Sequence, residues 1–581
     1  FITKITMYIH ALRSLSVGGH FYIFQFPISN FQSPISNPQI PSVPSVPQRL
    51  SVFVFPFSNP QIPSVPSVPQ RLSVFVFPFS NPIRAVAHYL DVVTLIMKLT
   101  EMQATLAFLL PAAFKEIYAP RMLVIEHSFV DGYFCHEANW ETITEEEIEQ
   151  LEQFLREWLW EDVPLEFERW SKDKLMGELS KINSASKLSN VKRWQVDEIP
   201  VVQYRKYFDY LIEPMTNDRV LLQTFRLIPY DDGFIMRFPT IARSERLEPF
   251  VDRPKLFAII EEQEQWGSIL GVSTVWELND LITSGKIREM LWVAEGLHEK
   301  KISHIADGLC QRFPERRIIT VAGPSSSGKT TFAKRLGIQL KVNGYSTRQI
   351  SMDDYFIDRA EIPFDEDRQQ DFESIAALNV NLLVERLNDL LDGREIPGRE
   401  YDFGTGTGHD TDERIKLDQR EFIIMEGIHG LNPLLTDKLD VDRIQKVYIS
   451  ALTQLNLDAT HRVSTSDNRL LRRMVRDHKY RGYSAADTIN RWPSVRLGEE
   501  KNIFPFQEEA DYMFNSALVY ELPVLAKYVR PLLAQLTNGS ETSAEAQRLE
   551  TFLAFFEPMD EDLVPGTSLL REFIGSSDLH Y

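Results

Sequence analysis

Residues 323–330 read Gly323-Pro324-Ser325-Ser326-Ser327-Gly328-Lys329-Thr330. The order G-x-x-x-x-G-K-[ST] is a loop that cradles phosphate. Its flanks supply the context the loop requires. Ile318-Ile319-Thr320-Val321-Ala322 is a short apolar, β-branched run of the kind that forms a buried strand. Thr331–Leu340 carries Phe332, Leu336 and Leu340 at helical spacing, with Gly337 as its one weak helix former. Strand, glycine loop and helix together aim backbone N–H groups and a helix N-terminus at an anion. Lys329 adds a positive charge for the β/γ-phosphates, and the Thr330 hydroxyl is a ligand for Mg²⁺. The expected nucleotide-binding residues are therefore Gly323, Pro324, Ser325, Ser326, Ser327, Gly328, Lys329, Thr330 and Thr331, with ATP and Mg²⁺ as cofactors.

Four further segments follow in the chain. The strand-like Ser346–Ser351 ends at Ser351-Met352-Asp353-Asp354-Tyr355-Phe356. Ligands of open α/β sheets sit at the carboxyl ends of strands. Asp353 is thus placed to take a proton from an attacking hydroxyl and to reach Mg²⁺, with a turn or helix cap as the equal alternative. Glu421–Gly427, EFIIMEG, reads as a buried strand ending on Glu426, an acid for the metal, rather than as an edge strand with a surface acid. In Arg469–Arg476, spacings of three and four put Arg469, Arg472 or Arg473, and Arg476 on one helical face, with Arg481 just beyond. In an acidic chain such a stripe calls for an anionic partner, and guanidinium groups suit a transferring phosphoryl. The fourth segment, Arg399–Phe403, precedes Gly404–Gly408 and His409. Tyr401 beside a mobile glycine loop is able to hold a planar base, though Tyr-Asp-Phe is equally ordinary in a strand.

Taken in order, GPSSSGKTT, SMDDYF, DFESIAAL, YDF, IIMEGIHGL and the arginine stripe with RGYS resemble the phosphoribulokinase/uridine kinase family, its uridine kinase branch most, over about Arg316–Leu533. The resemblance implies transfer of the γ-phosphoryl of ATP to the 5′-hydroxyl of a pyrimidine nucleoside. It implies a catalytic set of Asp353 as base, Lys329 on the phosphates and Arg476 in a lid. Substrate contacts fall on Tyr401, Arg469, Arg472, Arg481 and Asp371, the last sharing an uncertain register with Glu373. Thr330 and Glu426 would serve the metal. The family carries a histidine soon after YDF, whereas here Gly404–Gly408 intervenes and His409 comes late, so nucleoside selectivity is not legible. A sugar phosphate or another small alcohol is the alternative acceptor, as in phosphoribulokinase. A translation-linked, ATP-binding RNA regulator is the alternative from another class.

A second resemblance covers about Met102–Ile282. HSFVDGYFCHE, LIPYDDGFIMRFP and WGSILGVSTVWELNDLI are similar to the second N-terminal domain of threonyl-tRNA synthetase. That domain edits through an H-x-x-x-H pair, but the aligned segment is Met102-Gln103-Ala104-Thr105-Leu106. His127, Cys135 and His136 do not supply a recognisable zinc spacing. A binding or structural role is expected rather than editing.

The remaining features bound these readings. The chain has 581 residues, 62 Lys and Arg against 82 Asp and Glu, and a net charge of −20, which argues against DNA or RNA as a general partner. Two cysteines exclude a disulfide framework and fit a reducing cytoplasm. No run of about 18 apolar residues reads as a membrane span. A homo-oligomer is left open. Ser36–Phe57 recurs letter for letter as Ser58–Phe79, and its dense proline blocks helix and central strand alike. The expected organisation is a disordered repeat at 1–82, an α+β synthetase-like domain at 83–285, a helical connector at 286–315, an α/β P-loop domain at 316–535 with a parallel sheet and helices on both faces, and a helical tail at 536–581.

Overall fold

The computed structural model describes residues 82–161, 163–182, 184–240, 246–364, 370–453, 455–536 and 542–579. The expected repeat lies outside these residues except for Pro82. The chain divides into units 1–87 and 88–581, and everything below concerns the second.

The amino-terminal part of that unit is α+β. Strands β1 (Leu123–Phe129) and β2 (Gly132–Glu137) form a hairpin. Next come β3 (Glu166–Ser171), β4 (Glu198–Tyr204) and β5 (Tyr207–Tyr210), which make a three-stranded antiparallel sheet that sequence periodicity did not reveal. Strands β6 (Arg226–Tyr230) and β7 (Gly233–Arg237) return to the first sheet, giving the antiparallel order β1-β2-β7-β6. Side-chain alternation divides that sheet between two cores. Ile125, Tyr133, Cys135 and Met236 pack against the helices Pro82–Tyr118 and Glu145–Trp160. Phe129, Phe134 and Ile235 pack on the other face, against Leu256, Phe257 and Ile260 of the helix Pro254–Leu270. Within Pro82–Tyr118, the segment Thr94–Tyr118 is long and apolar enough to cross a membrane by length and composition, and 44% of it is buried inside the unit. Met102, Leu106 and Phe114 are fully buried there.

The carboxyl-terminal part is built on a five-stranded parallel sheet. Its strands are β8 (Ile318–Ala322), β9 (Ser346–Ser351), β12 (Glu421–Glu426), β13 (Ile444–Ser450) and β14 (Tyr512–Asn515), in the order β14-β13-β8-β12-β9. Ile318, Ile423 and Met425 face the helix Val380–Leu391 through Leu383 and Leu387. Ile319, Val321, Phe422 and Ile424 face the opposite way, onto Phe332, Leu336 and Ile305 of the helices Lys329–Val342 and Ile287–Cys310. Helices therefore cover both faces, as a parallel sheet requires. A separate hairpin, β10 (Ile396–Asp402) with β11 (Thr407–Ile415), projects beside the sheet. The glycine stretch expected to be a mobile loop is the tip of this hairpin. Arg359 pins it, donating its backbone N–H to Gly406 O (2.7 Å) and its guanidinium to Phe403 O (2.5 Å).

The boundaries expected at 285, 315 and 535 are not breaks in the packing. One hydrophobic core joins Trp170, Val201 and Val275 to Leu471, Trp492 and Leu525, and to Leu549, Phe555 and Phe573 of the tail. The joint also carries buried polar groups. Asp458 accepts from His461 Nδ1 (3.0 Å) and from the Tyr210 hydroxyl, with Lys187 at 3.9 Å. That cluster holds the Asp458 carboxyl far below the usual range in spite of its burial. The connector expected at 286–315 is the helix Ile287–Cys310, preceded across Ser284-Gly285 by the helix Val275–Thr283.

Candidate active site

The parallel register brings the predicted segments to one edge of the sheet. The phosphate loop follows β8, Asp353 lies in the turn after β9, and Glu426 ends β12. Within the loop, Gly328 has φ +83 and Ser326 φ +59, so the chain makes a left-handed turn before the helix opens at Lys329. Lys329 Nζ folds back onto Gly323 O and Pro324 O, both at 3.0 Å. The Thr330 hydroxyl donates to Glu426 Oε1 at 3.3 Å. The Thr331 N–H and hydroxyl both donate to Glu572 Oε2, at 3.0 and 2.7 Å.

The arginine stripe divides in two, and this corrects two of the expected substrate contacts. Arg469 and Arg472 point away from the cleft and are fully buried. Arg469 pairs with Glu499 and donates to Ser325 O (3.0 Å). Arg472 donates to Glu521 Oε2 (2.6 Å), Ser326 O (3.3 Å) and Ser516 O (2.9 Å). Glu499 completes the clamp by accepting from Ser325 N–H at 3.0 Å. These groups hold the loop backbone, and most of their guanidinium donors are already used. Arg473 and Arg476 belong to the same helical stripe but take other partners. Arg473 reaches the Ser325 hydroxyl (2.8 Å), and Arg473, Arg476 and Arg481 all gather on the buried Asp477, at 3.2, 2.8 and 3.7 Å. Asp477–Arg481 is a π-helical turn, a departure from regular helix that recurs at functional sites.

The acids opposite these cations are strained electrostatically. Burial pushes the Asp353 carboxyl up, offset by Lys329, Arg481 and Arg476. Its side chain remains open to solvent, as a group on a cleft wall does. Burial lifts Glu426 to about 7; Lys329 pulls it down, while Asp353 and Glu572 push it up. Glu373 is also raised to about 7, by burial and Glu499, with Arg473 opposing. Gly498 permits the packing of Glu373, since a Cβ there would stand 2.7 Å from the Glu373 Cβ. Asp371, the acid expected on substrate, instead caps its own turn by accepting from the Glu373 N–H at 3.2 Å. Glu373 is an acid that interacts with Arg473, Asp353 and Lys329. Tyr401 is 6% exposed, and its ring lies 5.0 Å from Phe403 and 5.5 Å from Phe356, with Phe372 6.2 Å beyond.

Residues 318–522 match the Phosphoribulokinase / Uridine kinase family. Curated uridine kinases of Staphylococcus aureus strains JH9 and Newman are 33% identical to this chain over 196 residues, which is 33% of this chain and 84% of theirs. The chain belongs to the phosphoribulokinase/uridine kinase family. It is an ATP-dependent phosphotransferase. Among solved structures, a possible uridine kinase from Bacillus stearothermophilus is similar at 19% identity and TM-score 0.27, covering 37% of this chain and 98% of that one. A putative fructose transport system kinase from Silicibacter sp. TM1040 is similar at 14% identity and TM-score 0.26, again covering 37% and 98%. The family match begins at Ile318, so the synthetase-like reading of residues 83–285 draws nothing from it.

Several groups of this kinase site escaped the sequence reading. Glu499, Glu521 and Glu572 touch the phosphate loop or its clamp from 174, 49 and 241 residues away in the chain, and no local pattern marks them. Arg473 was legible only as a neighbour of Arg472 in the stripe.

Proposed function

We propose that this kinase moves the γ-phosphoryl of ATP to the 5′-hydroxyl of a pyrimidine nucleoside. The observation that supports this is the cleft beyond the phosphate loop. There Asp353 and Glu373 interact with Lys329, Arg473, Arg476 and Arg481, beside the aromatic group Phe356, Phe372, Tyr401 and Phe403. In this reading Asp353 accepts the proton of the attacking hydroxyl. The hydroxyl oxygen bonds to the γ-phosphorus as the bond to the β–γ bridging oxygen breaks, releasing ADP. Glu373 accepts from the sugar hydroxyls, and the aromatic rings flank the base. Lys329 and the amides of the helix N-terminus hold the phosphates, and Arg476 and Arg481 cover the equatorial oxygens. The adjacent oxygens of Thr330 and Glu426 suit a hard cation, and Glu426 is an acid whose raised pKa such a charge would relieve. Mg²⁺ bound there supplies charge neutralisation.

An acceptor panel with radiolabelled ATP tests the reading. Uridine and cytidine are expected to be labelled, and Lys329→Ala or Asp353→Asn to abolish the labelling while far-UV circular dichroism is unchanged. Labelling of a sugar phosphate in place of any nucleoside would refute it. Residues 102–282 are proposed, on sequence alone, as a synthetase-like domain with a binding role. Met102, Thr105 and Leu106, where the editing pair would stand, are buried in its core. Small-molecule partners and a cytoplasmic setting belong to the same proposal, resting on the acidic charge and the free thiols Cys135 and Cys310.

A further inference from the structure

A sizeable cavity lies away from the phosphate loop. A space of about 710 Å³ opens between β1–β2, the helices Pro254–Leu270 and Ile287–Cys310, and the segments 452–459 and 517–522. That volume lies within the range of small-molecule sites.

Its walls are specific. Trp140, Trp266 and Trp276 line it. Trp140 is held flat by stacking on His136, with ring centroids 3.7 Å apart and planes 11° apart. Two polar groups in the lining are buried to nine-tenths or more and lack partners. Gln263 is 9% exposed and its Nε2 makes no hydrogen bond. His298 is 1% exposed and its Nδ1 makes none. The tautomer of His298 follows from its other nitrogen, which lies 3.2 Å from Ala517 O. A carbonyl only accepts, so Nε2 carries the proton. Burial depresses the pKa of the ring to about 3 and keeps it neutral, which leaves Nδ1 as a bare acceptor. Trp266 lies beside it, with ring centroids 5.8 Å apart. Two residues of the lining therefore carry one unpaired donor and one unpaired acceptor next to an indole face, both atoms enclosed until their side chains turn toward the space. Leaving such groups unmade is costly, so they are strong markers of a ligand edge.

The charge of the lining narrows the chemistry. Among the lining residues there is no Lys or Arg, while Glu126, Glu264, Glu277, Asp458 and Glu521 all contribute. A phosphate or carboxylate would meet only like charge. All five acids have neighbours of their own: Glu126 pairs with His136, Glu264 lies 3.7 Å from His127 Nδ1, Glu277 caps its helix, Asp458 binds His461 and Glu521 binds Arg472. Glu264 is lifted to about 8 by burial and neighbouring acids, so it is largely a neutral donor at pH 7. An ammonium ligand would find the carboxyls but would leave the Gln263 amide N–H unpaired. A ligand with a ring N–H and a ring carbonyl carries the complements of His298 Nδ1 and Gln263 Nε2.

We infer that this cavity is a second ligand site, distinct from the phosphate loop, for an uncharged planar heterocycle with a lactam edge, the chemistry of a free pyrimidine or purine base. The inference does not rest on the nucleoside acceptor proposed above. It is tested by calorimetric titration of the full chain with uracil and with hypoxanthine, against uridine monophosphate as the phosphorylated form and tyramine as an amine. At least one base is expected to bind at one site per chain, at least about tenfold more tightly than tyramine, and to quench tryptophan fluorescence. Gln263→Leu and Trp266→Ala are each expected to weaken that binding at least about tenfold, the effect of one lost hydrogen bond or stacking face, with phosphotransfer retained. Absence of base binding overturns the inference. So does base binding unchanged by both substitutions, or binding of tyramine or the monophosphate at this site as tight as that of the base. If Gln263→Leu does not fold, Trp266→Ala and the ligand order in the unaltered chain still decide.

Discussion

The arginine helix separates into a structural half and a reacting half, and two substitutions should behave oppositely. Arg472 is wholly buried and donates to Glu521, Ser326 O and Ser516. Arg472→Gln strands the Glu521 carboxylate, which is 2% exposed. Breaking a buried pair from one side costs about 3–5 kcal/mol. Glu521 keeps two donors, Asn468 Nδ2 at 2.8 Å and Leu518 N–H at 3.2 Å, which favours the lower end of that range. The expected loss is about 3 kcal/mol in urea unfolding followed by circular dichroism. The Arg476 side chain is 15% exposed, and its partner Asp477 keeps Arg473 and Arg481 when Arg476 is removed. Arg476→Gln should change stability by less than about 1 kcal/mol. It should lower kcat by about 10²–10³, the cost of removing one donor from a developing anion. If Arg472→Gln unfolds within about 1 kcal/mol of the parent and instead loses turnover as Arg476→Gln does, the division of the stripe is wrong.

Glu572→Gln should lower the KM for ATP. A carboxylate about 6 Å from a phosphate charge opposes it by about 2–3 kcal/mol at an effective dielectric of 20, and ions screen this to about 1–2 kcal/mol, or five- to thirtyfold; an unchanged KM in steady-state assays would contradict this. Glu426 and Glu373, both raised to about 7, must be ionised to serve a cation and the sugar, so kcat/KM should rise with pH from about 6 to 8. A flat profile over that interval would remove both from the reaction. Glu264 has a folded pKa of about 8, above its unfolded value. The stability it contributes is present below the unfolded pKa and is lost as pH rises through 8. Glu264→Gln should therefore be more stable than the parent at pH 9, by about 2 kcal/mol or more, and indistinguishable at pH 4; thermal melts at the two pH values check it.

The legible part of this molecule is the part whose signals are local. Ile318–Ala322, Ser346–Ser351 and Glu421–Glu426 announced themselves as strands, and the residues that follow them stand at one sheet edge because parallel strands end together. Strand β11, Thr407–Ile415, is mostly exposed or half-exposed and carries polar side chains on both faces, so it offered no alternation to read. The arginine stripe was visible, but helical spacing alone cannot say which side meets the loop. That is decided by Glu499 and Glu521, whose pairing with Arg469 and Arg472 exists only after folding. Asp371 and Glu373 are two residues apart, and only the packing of Glu373 against Gly498 tells them apart.

The site's own acids stand where phosphate would bind. Glu572 takes the Thr331 N–H, Glu499 takes the Ser325 N–H, and the loop carbonyls of Gly323 and Pro324 take Lys329. Asp477 draws in the three arginines. Two kinds of acid are involved. Glu499 is fully buried and tied to Arg469, so its hold on Ser325 belongs to the scaffold and survives nucleotide binding. Glu572 belongs to the four-residue helix Arg571–Ile574, and its Thr331 contacts are exchangeable for phosphate oxygens. Binding of a triphosphate is then an exchange of one anion for another at Thr331, and the net gain is smaller than the loop's donors alone suggest. The exchange puts a phosphate charge in place of Glu572, one of the charges that push Glu426 up, so negative crowding persists there unless a cation is bound. Tail movement, phosphate binding and cation binding are coupled through one carboxylate, and Glu572→Gln should weaken the dependence of the ATP KM on magnesium concentration together with lowering the KM itself.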